Sequence, residues 1–158
     1  MAIVLLSGLT AVQAEEAATY ETGLNGTDKR PSAQVTFHES CGDECHAADL
    51  DCDDTGGIIF SFADIEAEIA AKAMTSTARE FILKIDATAY PFSIMRLSFG
   101  GEMYGTWLVD GQLANSQAAD FRAALAKAKS FKATIGSASL TLPVTADVKT
   151  WAAACTQQ

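Results

Sequence analysis

Positive charge is scarce in this chain. Lysine and arginine together number 11 against 20 acidic residues, and the formal net charge is −9. No Lys or Arg lies between Arg30 and Lys72, yet that interval holds ten acids: Glu39, Asp43, Glu44, Asp49, Asp51, Asp53, Asp54, Asp64, Glu66 and Glu68. Nucleic acids and anionic membrane surfaces are bound through Lys and Arg. The composition therefore argues against both as partners and is compatible with a cationic one.

Apolar runs of membrane-spanning length are also missing. The run at residues 2–12 has about 11 residues, whereas a spanning helix needs ~20, so we expect a protein that is not transmembrane. Val12-Gln13-Ala14 follows it, with the small-residue spacing of a cleavage site, which predicts a signal peptide over residues 1–14. No Lys or Arg precedes the run, unlike the usual signal, and a buried N-terminal strand is the alternative.

Sequence motifs of the common enzyme classes are absent. The chain has no H-E-x-x-H, no G-x-S-x-G and no phosphate-binding glycine loop, and its two histidines are His38 and His46. Arg96 is the one basic residue between positions 91 and 109, where it is either a ligand contact or a solvent-facing charge. The pattern favours a non-catalytic protein. The alternative is a small secreted hydrolase or redox protein that uses His38, His46 and the neighbouring cysteines.

Cysteine is the residue type that says most about this chain. Three of the four cysteines are close together, at Cys41, Cys45 and Cys52, and the fourth is Cys155. Exported proteins fold in an oxidising compartment, where clustered cysteines form structural disulfides. Four cysteines allow three pairings, and the sequence does not choose among them. We favour Cys52 with Cys155 and Cys41 with Cys45, because Cys155 shares the inward face of a predicted C-terminal helix over residues 145–155.

The segment between the two histidines also allows other chemistry. It contains two His and two Cys, which are zinc ligands, and Cys41-x-x-x-Cys45-His46 is one residue longer than a haem attachment sequence. An exchangeable dithiol is a third alternative, although redox dithiols normally have two intervening residues and not three. Export favours a structural disulfide over each of these.

The acids near the cysteines suggest two uses besides a solvated surface. Asp49, Asp51 and Asp53 match the first three ligand positions of an EF-hand, but Asp54 stands where glycine is needed and Phe60 where the bidentate Glu should be. An EF-hand is therefore excluded, and a looser calcium site on the three aspartates is one hypothesis; no other cofactor is predicted. The second hypothesis is a partner-binding surface on the acidic, cysteine-rich loop 39–54, with the carboxylates of Asp43, Glu44, Asp49, Asp51, Asp53 and Asp54.

Hydrophobic periodicity predicts an α+β protein. Residues 57–144 are predicted to contain two β-α-β-β repeats that form a mainly antiparallel sheet with packed helices, followed by the C-terminal helix. A shift of 50 residues superposes the hairpin EFILKIDATAYPFSI on SFKATIGSASLTLPV without a gap, with Phe81 on Phe131 and Ile85 on Ile135. The predicted organisation is a signal peptide over 1–14, a flexible lead-in over 15–32 and a single disulfide-bonded domain over 33–158.

One resemblance to a known family covers about a quarter of the chain. In residues 121–155, an "ALxxxK" helix leads into a hairpin that ends in "LPV" and then into a short helix; the matching residues are Ala124, Leu125, Lys129, Leu142, Pro143, Val144 and residues 151–154. This stretch resembles the closing part of invasion-associated locus B proteins and of related bacterial periplasmic proteins. The resemblance implies an exported bacterial β-rich protein with a supporting or host-facing role, and it brings no catalytic residue. The cysteine cluster departs from the family pattern.

Taken together, these features predict a bacterial, periplasmic or secreted protein that acts by binding and not by catalysis. We expect a binding or accessory protein that contacts an envelope or other protein partner through loop 39–54. An inhibitor of a secreted cationic enzyme is a further alternative, because it would suit the acidity and the size of the chain.

Overall fold

Nine strands and three helices make up the part of the chain that the computed structural model describes, namely residues 18–24, 31–38, 46–53, 55–99 and 106–155, with the backbone alone at 19–24, 31, 32 and 46. The predicted α+β class is confirmed. The strands are β1 Ala18–Leu24, β2 Pro31–His38, β3 His46–Cys52, β4 Ile58–Glu66, β5 Glu80–Ile85, β6 Thr88–Phe99, β7 Thr106–Leu113, β8 Ser130–Ile135 and β9 Ala138–Pro143. The helices are α1 Ala67–Thr75, α2 Asn115–Lys127 and α3 Ala146–Ala154.

All nine strands belong to one sheet, in the order β1-β2-β3-β4-β7-β6-β5-β8-β9. Every neighbouring pair is antiparallel, as the sequence predicts. The hairpins β5–β6 and β8–β9 are joined by two-residue turns, whereas β4 and β7 pair although two strands separate them in the chain. The long-range pair β4–β7 therefore decides the sheet order.

The sheet curls so that strands near its two ends face each other. Phe37 in β2 and Phe131 in β8, the second and eighth strands of the sheet, have ring centroids 5.6 Å apart. Phe60 in β4 also contacts Phe131, and it contacts three further rings: Phe62, Phe81 and Phe92. These rings are fully buried. Because successive side chains of a strand alternate between faces, one face of the sheet is apolar and forms the core.

Helix α2 extends this core. Its buried residues are Ala118, Phe121 and Leu125, and Phe121 packs edge-on against Tyr90 of β6 at a centroid distance of 5.1 Å. Burial raises the pKa of the Tyr90 phenol above its ordinary value, and the nearby Asp120 carboxylate adds to the rise. The face of α2 that carries Phe121 and Leu125 therefore packs onto the core.

Helix α3 connects the C-terminal end of the chain to β2 and β3. Thr145 caps it by accepting a hydrogen bond from the Val148 N–H at 3.4 Å. On its buried face, the Trp151 indole N–H donates to the Ala33 carbonyl at 2.9 Å. One turn further on, the buried Cys155 forms a disulfide with Cys52, with the two Cα atoms 5.5 Å apart. The favoured Cys52–Cys155 pairing is confirmed, while Cys41 and Cys45 lie outside the described residues.

Two segments predicted to be irregular are strands instead. The lead-in over 15–32, predicted to be flexible, contains β1 and the first residues of β2. In the predicted loop 39–54, residues 46–52 form β3, which pairs with β2 on one side and β4 on the other. Strand β3 was predicted to be a loop because its acids and cysteine obscure the alternation of a strand. Ala48, Leu50 and Cys52 are buried, whereas Asp49 and Asp51 point to the opposite face.

Removal of the long-range disulfide tests how far it stabilises the fold. The bond joins residues 103 positions apart, and the chain-entropy model assigns about 4–5 kcal/mol to a loop of that length. We expect Cys52→Ala/Cys155→Ala to lose about that much unfolding free energy in urea denaturation. The reduced and oxidised wild-type protein provide the comparison without mutation. Equal midpoints for all of them would contradict the prediction.

A second stability prediction concerns Gly111, where β7 passes close to a core ring. A β-carbon built at this position would overlap the Phe81 ring, which is 1% exposed. Gly111→Ala is therefore expected to lower the unfolding free energy by about 1–3 kcal/mol. The double variant Gly111→Ala/Phe81→Leu should lose less than the sum of the two single losses. Additive losses would show that the ring is not the cause.

Candidate functional site

Polar side chains form a continuous row on the face of the sheet opposite the phenylalanine core, here called the outer face. The strand registers place five residues directly opposite one another across β2, β3, β4, β7 and β6: Thr36, Asp49, Ser61, Asp110 and Arg96. This set is called the first row. A bulge between Ile94 and Arg96 brings the arginine to this face.

A second row runs beside the first, two residues away on β2, β3, β4 and β7 and three residues away on β6, where the bulge adds one. It consists of Gln34, Asp51, Ile59, Gln112, Ser93 and Glu80, and it reaches from β2 to β5. Neighbouring strands are about 4.8 Å apart, so the second row extends roughly 24 Å over its five strand spacings. Together the two rows contain four carboxylates and one basic group. The arrangement is an acidic strip across a paired sheet.

Two carboxylates of the first row are buried although they lie on the outer face. Asp49 is 9% exposed and Asp110 is 6% exposed. The Asp49 Oδ1 accepts a hydrogen bond from the Thr36 hydroxyl at 2.8 Å. The Asp110 Oδ2 accepts from Arg96 Nε at 2.6 Å and lies 2.6 Å from Nη2. Since a buried charge is costly without partners, these contacts explain how both acids are accommodated.

The structure divides the predicted aspartates into two groups. Asp49 and Asp51 belong to the two rows, but Asp53 does not. The Asp53 Oδ1 accepts hydrogen bonds from the Thr55 N–H at 2.9 Å, the Thr55 hydroxyl at 2.7 Å and the Gly57 N–H at 2.6 Å. Its carboxylate therefore holds the turn between β3 and β4 and is a poor choice for a partner contact.

Several other predicted site residues cannot be placed. Asp43, Glu44, Asp54, Cys41 and Cys45 lie outside the described residues. The backbone register sets His38 opposite His46 at the bulged end of the β2–β3 pair, and of His46 only the backbone is described.

The calcium hypothesis finds no complete ligand set in the described ranges. Within them, no group of three or more His, Cys, Asp or Glu side chains could hold a metal ion. Asp49, Asp51 and Asp53 do not form such a group, because the third is bonded into a turn. The looser calcium site predicted on the disulfide-bonded loop stays a prediction, since part of that loop lies outside the described residues.

Sequence reasoning missed two of the four carboxylates of the strip, Asp110 and Glu80. Asp110 and Gln112 alternate with Val109 and Leu113 along β7, so their shared face could have been inferred from period two. Their position beside Ser61 and Asp49 could not, because it depends on the β4–β7 pairing. Arg96 was noted as an isolated charge, and the register explains it as the partner of Asp110.

Comparisons with known protein families, with curated proteins and with solved structures found no match to this chain. The resemblance of the C-terminal quarter to invasion-associated locus B proteins therefore stays a prediction. In the described residues, no helix is long and apolar enough to cross a membrane. The function has to be inferred from the geometry of the acidic strip and of its surroundings.

The Arg96–Asp110 pair can be tested by its effect on stability. Arg96→Gln leaves the buried Asp110 without its cation and is expected to cost about 1 kcal/mol of unfolding free energy, since the exposed guanidinium is screened by water. The double variant Arg96→Gln/Asp110→Asn should recover part of the loss. Urea unfolding of both single variants and the double variant measures the coupling. Lys84→Gln, an exposed strand cation in β5, is the control, and additive effects would contradict the ion pair.

Proposed function

We propose that this protein is an exported, periplasmic or secreted binding or accessory protein that works without catalysis and holds a cationic partner against its acidic strip. One observation carries the proposal: four carboxylates and one basic side chain lie in register across the outer face of β2 to β5. Charge complementarity of this kind steers a partner and selects against partners of like charge.

The proposal moves the contact surface from a loop to a sheet. Asp49 and Asp51 lie on a strand that is paired on both sides, so their separation is set by the backbone and not by a mobile loop. A preformed surface loses less conformational freedom on binding than a flexible one. Residues 39–45 and Asp54 remain part of the proposed surface, although they lie outside the described residues.

Export is proposed on three supports. Residues 1–14 have the pattern of a signal peptide, and the disulfide between Cys52 and Cys155 is a bond typical of oxidising compartments. The resemblance to bacterial periplasmic proteins in residues 121–155 points to the same location. An inhibitor of a secreted cationic enzyme would use the same strip, and only the identity of the partner separates it from an accessory protein.

We propose in addition that residues 57–144 contain a duplicated unit. The elements β4-α1-β5-β6 and β7-α2-β8-β9 follow the same order. Under a shift of 50 residues the hairpin registers coincide: Phe81 lies opposite Phe92, and Phe131 lies opposite Leu142. Where β5 and β8 meet, Leu83 lies opposite its own equivalent, Ala133. This pairing is what a local twofold axis between two copies would produce.

The binding proposal predicts that two carboxylates matter more than the net charge. Asp49→Asn/Asp51→Asn removes two negative charges from the strip, and we expect it to weaken binding of a cationic probe by at least about tenfold. Asp64→Asn/Asp120→Asn removes the same charge from exposed positions outside the strip and should change binding by less than about twofold. Calorimetry at low and at physiological salt measures both, with octalysine and lysozyme as probes.

The outcomes are distinct. Equal weakening by both double variants would mean that binding follows net charge, and the strip would be rejected. Binding of octalysine but not of lysozyme would support an acidic contact surface and reject that enzyme as the inhibited partner. Binding of neither probe to the wild-type protein would contradict the cationic-partner proposal. Thermal unfolding of each variant establishes that the protein remains folded.

A further inference from the structure

A cleft with a volume of about 440 Å³ opens where β5, β6 and β7 meet the start of α2. It lies at the opposite end of the second row from Asp51 and shares Gln112, Ser93 and Glu80 with that row. Its size falls in the range of small-molecule pockets, roughly 300–1,000 Å³. The cleft is therefore a separate candidate for a ligand.

Five polar side chains converge on this cleft. Three are carboxamides, Gln112, Asn115 and Gln117, and the other two are the Ser93 hydroxyl and the Glu80 carboxylate. Within the described part of the chain, none of the five makes a side-chain hydrogen bond or ion pair to another residue. Each carboxamide can donate and accept at once. The wall thus offers several unused donors and acceptors to a ligand.

Apolar groups complete the cleft. Met95 is 49% exposed and is one of two large hydrophobic side chains exposed in the described residues. Leu113 also lines the cleft, but its side chain is 1% exposed and lies on the core face, opposite Phe92. Pro91 adds a flat, rigid surface beside them. Hydrogen-bonding groups arranged around an apolar patch suit a ligand that has both hydroxyl groups and C–H faces.

Charge and backbone pairing narrow the class of ligand. Glu80 is the single charged side chain that lines the cleft, so an anionic ligand would be repelled. The strands beneath are paired on both sides, β6 by β5 and β7, and β7 by β4 and β6. No free strand edge is available there to a peptide that binds by strand addition. Recognition in this cleft has to come from side chains.

We propose that this cleft binds a neutral or amino-substituted saccharide of one or two sugar units. Sugar hydroxyls donate and accept as the three carboxamides do, the C–H faces of a pyranose ring pack on Met95 and Pro91, and an amino substituent pairs with Glu80. The cleft shares Glu80, Ser93 and Gln112 with the acidic strip, whereas Asp49 and Asp51, on which the test of the cationic-partner proposal acts, do not line it.

The test measures binding of three probes to the full chain by saturation-transfer NMR and calorimetry. The first probe is the disaccharide of N-acetylglucosamine, the second is glucosamine, and the third is glucuronate. We expect the disaccharide and glucosamine to bind with dissociation constants of about 1 mM. Glucuronate should bind at least about tenfold more weakly, because its carboxylate is repelled by Glu80. Gln112→Ala should weaken binding of the disaccharide by about fivefold or more. Gln34→Ala, at the other end of the same row, should leave it unchanged.

Two further variants keep the proposal falsifiable. Met95→Lys alters an exposed wall residue without disturbing the core, and it should abolish binding even if Gln112→Ala proves unstable. Glu80→Gln should weaken the binding of glucosamine and leave the binding of the neutral disaccharide unchanged. Failure of both sugars to bind, equal binding of glucuronate, or equal loss in Gln34→Ala would each overturn the proposal. Asp49→Asn/Asp51→Asn separates the two proposals, because neither aspartate lines the cleft: this variant should weaken octalysine binding and leave disaccharide binding unchanged.

Discussion

The ring of Phe60 occupies the position on which the rest of the structure depends. It lies within 6.4 Å, centroid to centroid, of Phe81, Phe92 and Phe131 on three other strands. Phe131 in turn meets Phe37 from the far side of the sheet. Seven of the eight phenylalanines are buried in this way. Aromatic rings bury more apolar area than any other side chains, so the sheet has to curl around them, and its opposite face is left for polar groups.

The C-terminal helix secures the strands that carry the acids. Trp151 donates to the carbonyl of Ala33 in β2, and Cys155 is bonded to Cys52 at the end of β3. Asp49 and Asp51 lie on β3, which pairs with β2 on one side and with β4 on the other. A disulfide that constrains a loop of this length acts mainly by limiting the unfolded chain. Here it also joins the last helix to the strand on which the proposed contact surface depends.

Local pattern and spatial pairing contributed differently to what could be predicted. The two hairpins and the inward face of α3 could be predicted from periodicity, because periodicity depends on residues near one another in sequence. The Cys52–Cys155 bond could be favoured because four cysteines allow only three pairings. Strand β3 was missed, since its acids and cysteine suggested a loop. The acidic strip was missed as a unit, because Asp110 joins Ser61 and Asp49 only through the β4–β7 pair.

The sequence by itself determined the α+β class, the acidity and the alternation that turns each strand to the core. These properties follow from amino-acid composition and from hydrophobic periodicity, which depend on the residues themselves and on their near neighbours in sequence. The order of strands, the bulge that turns Arg96 toward Asp110 and the cleft beside Gln112 were decided only by the tertiary structure. Each of these features requires contact between residues far apart in the chain. Which of those contacts form depends on the arrangement that buries the phenylalanines best, and this is a property of the whole core and not of neighbouring residues.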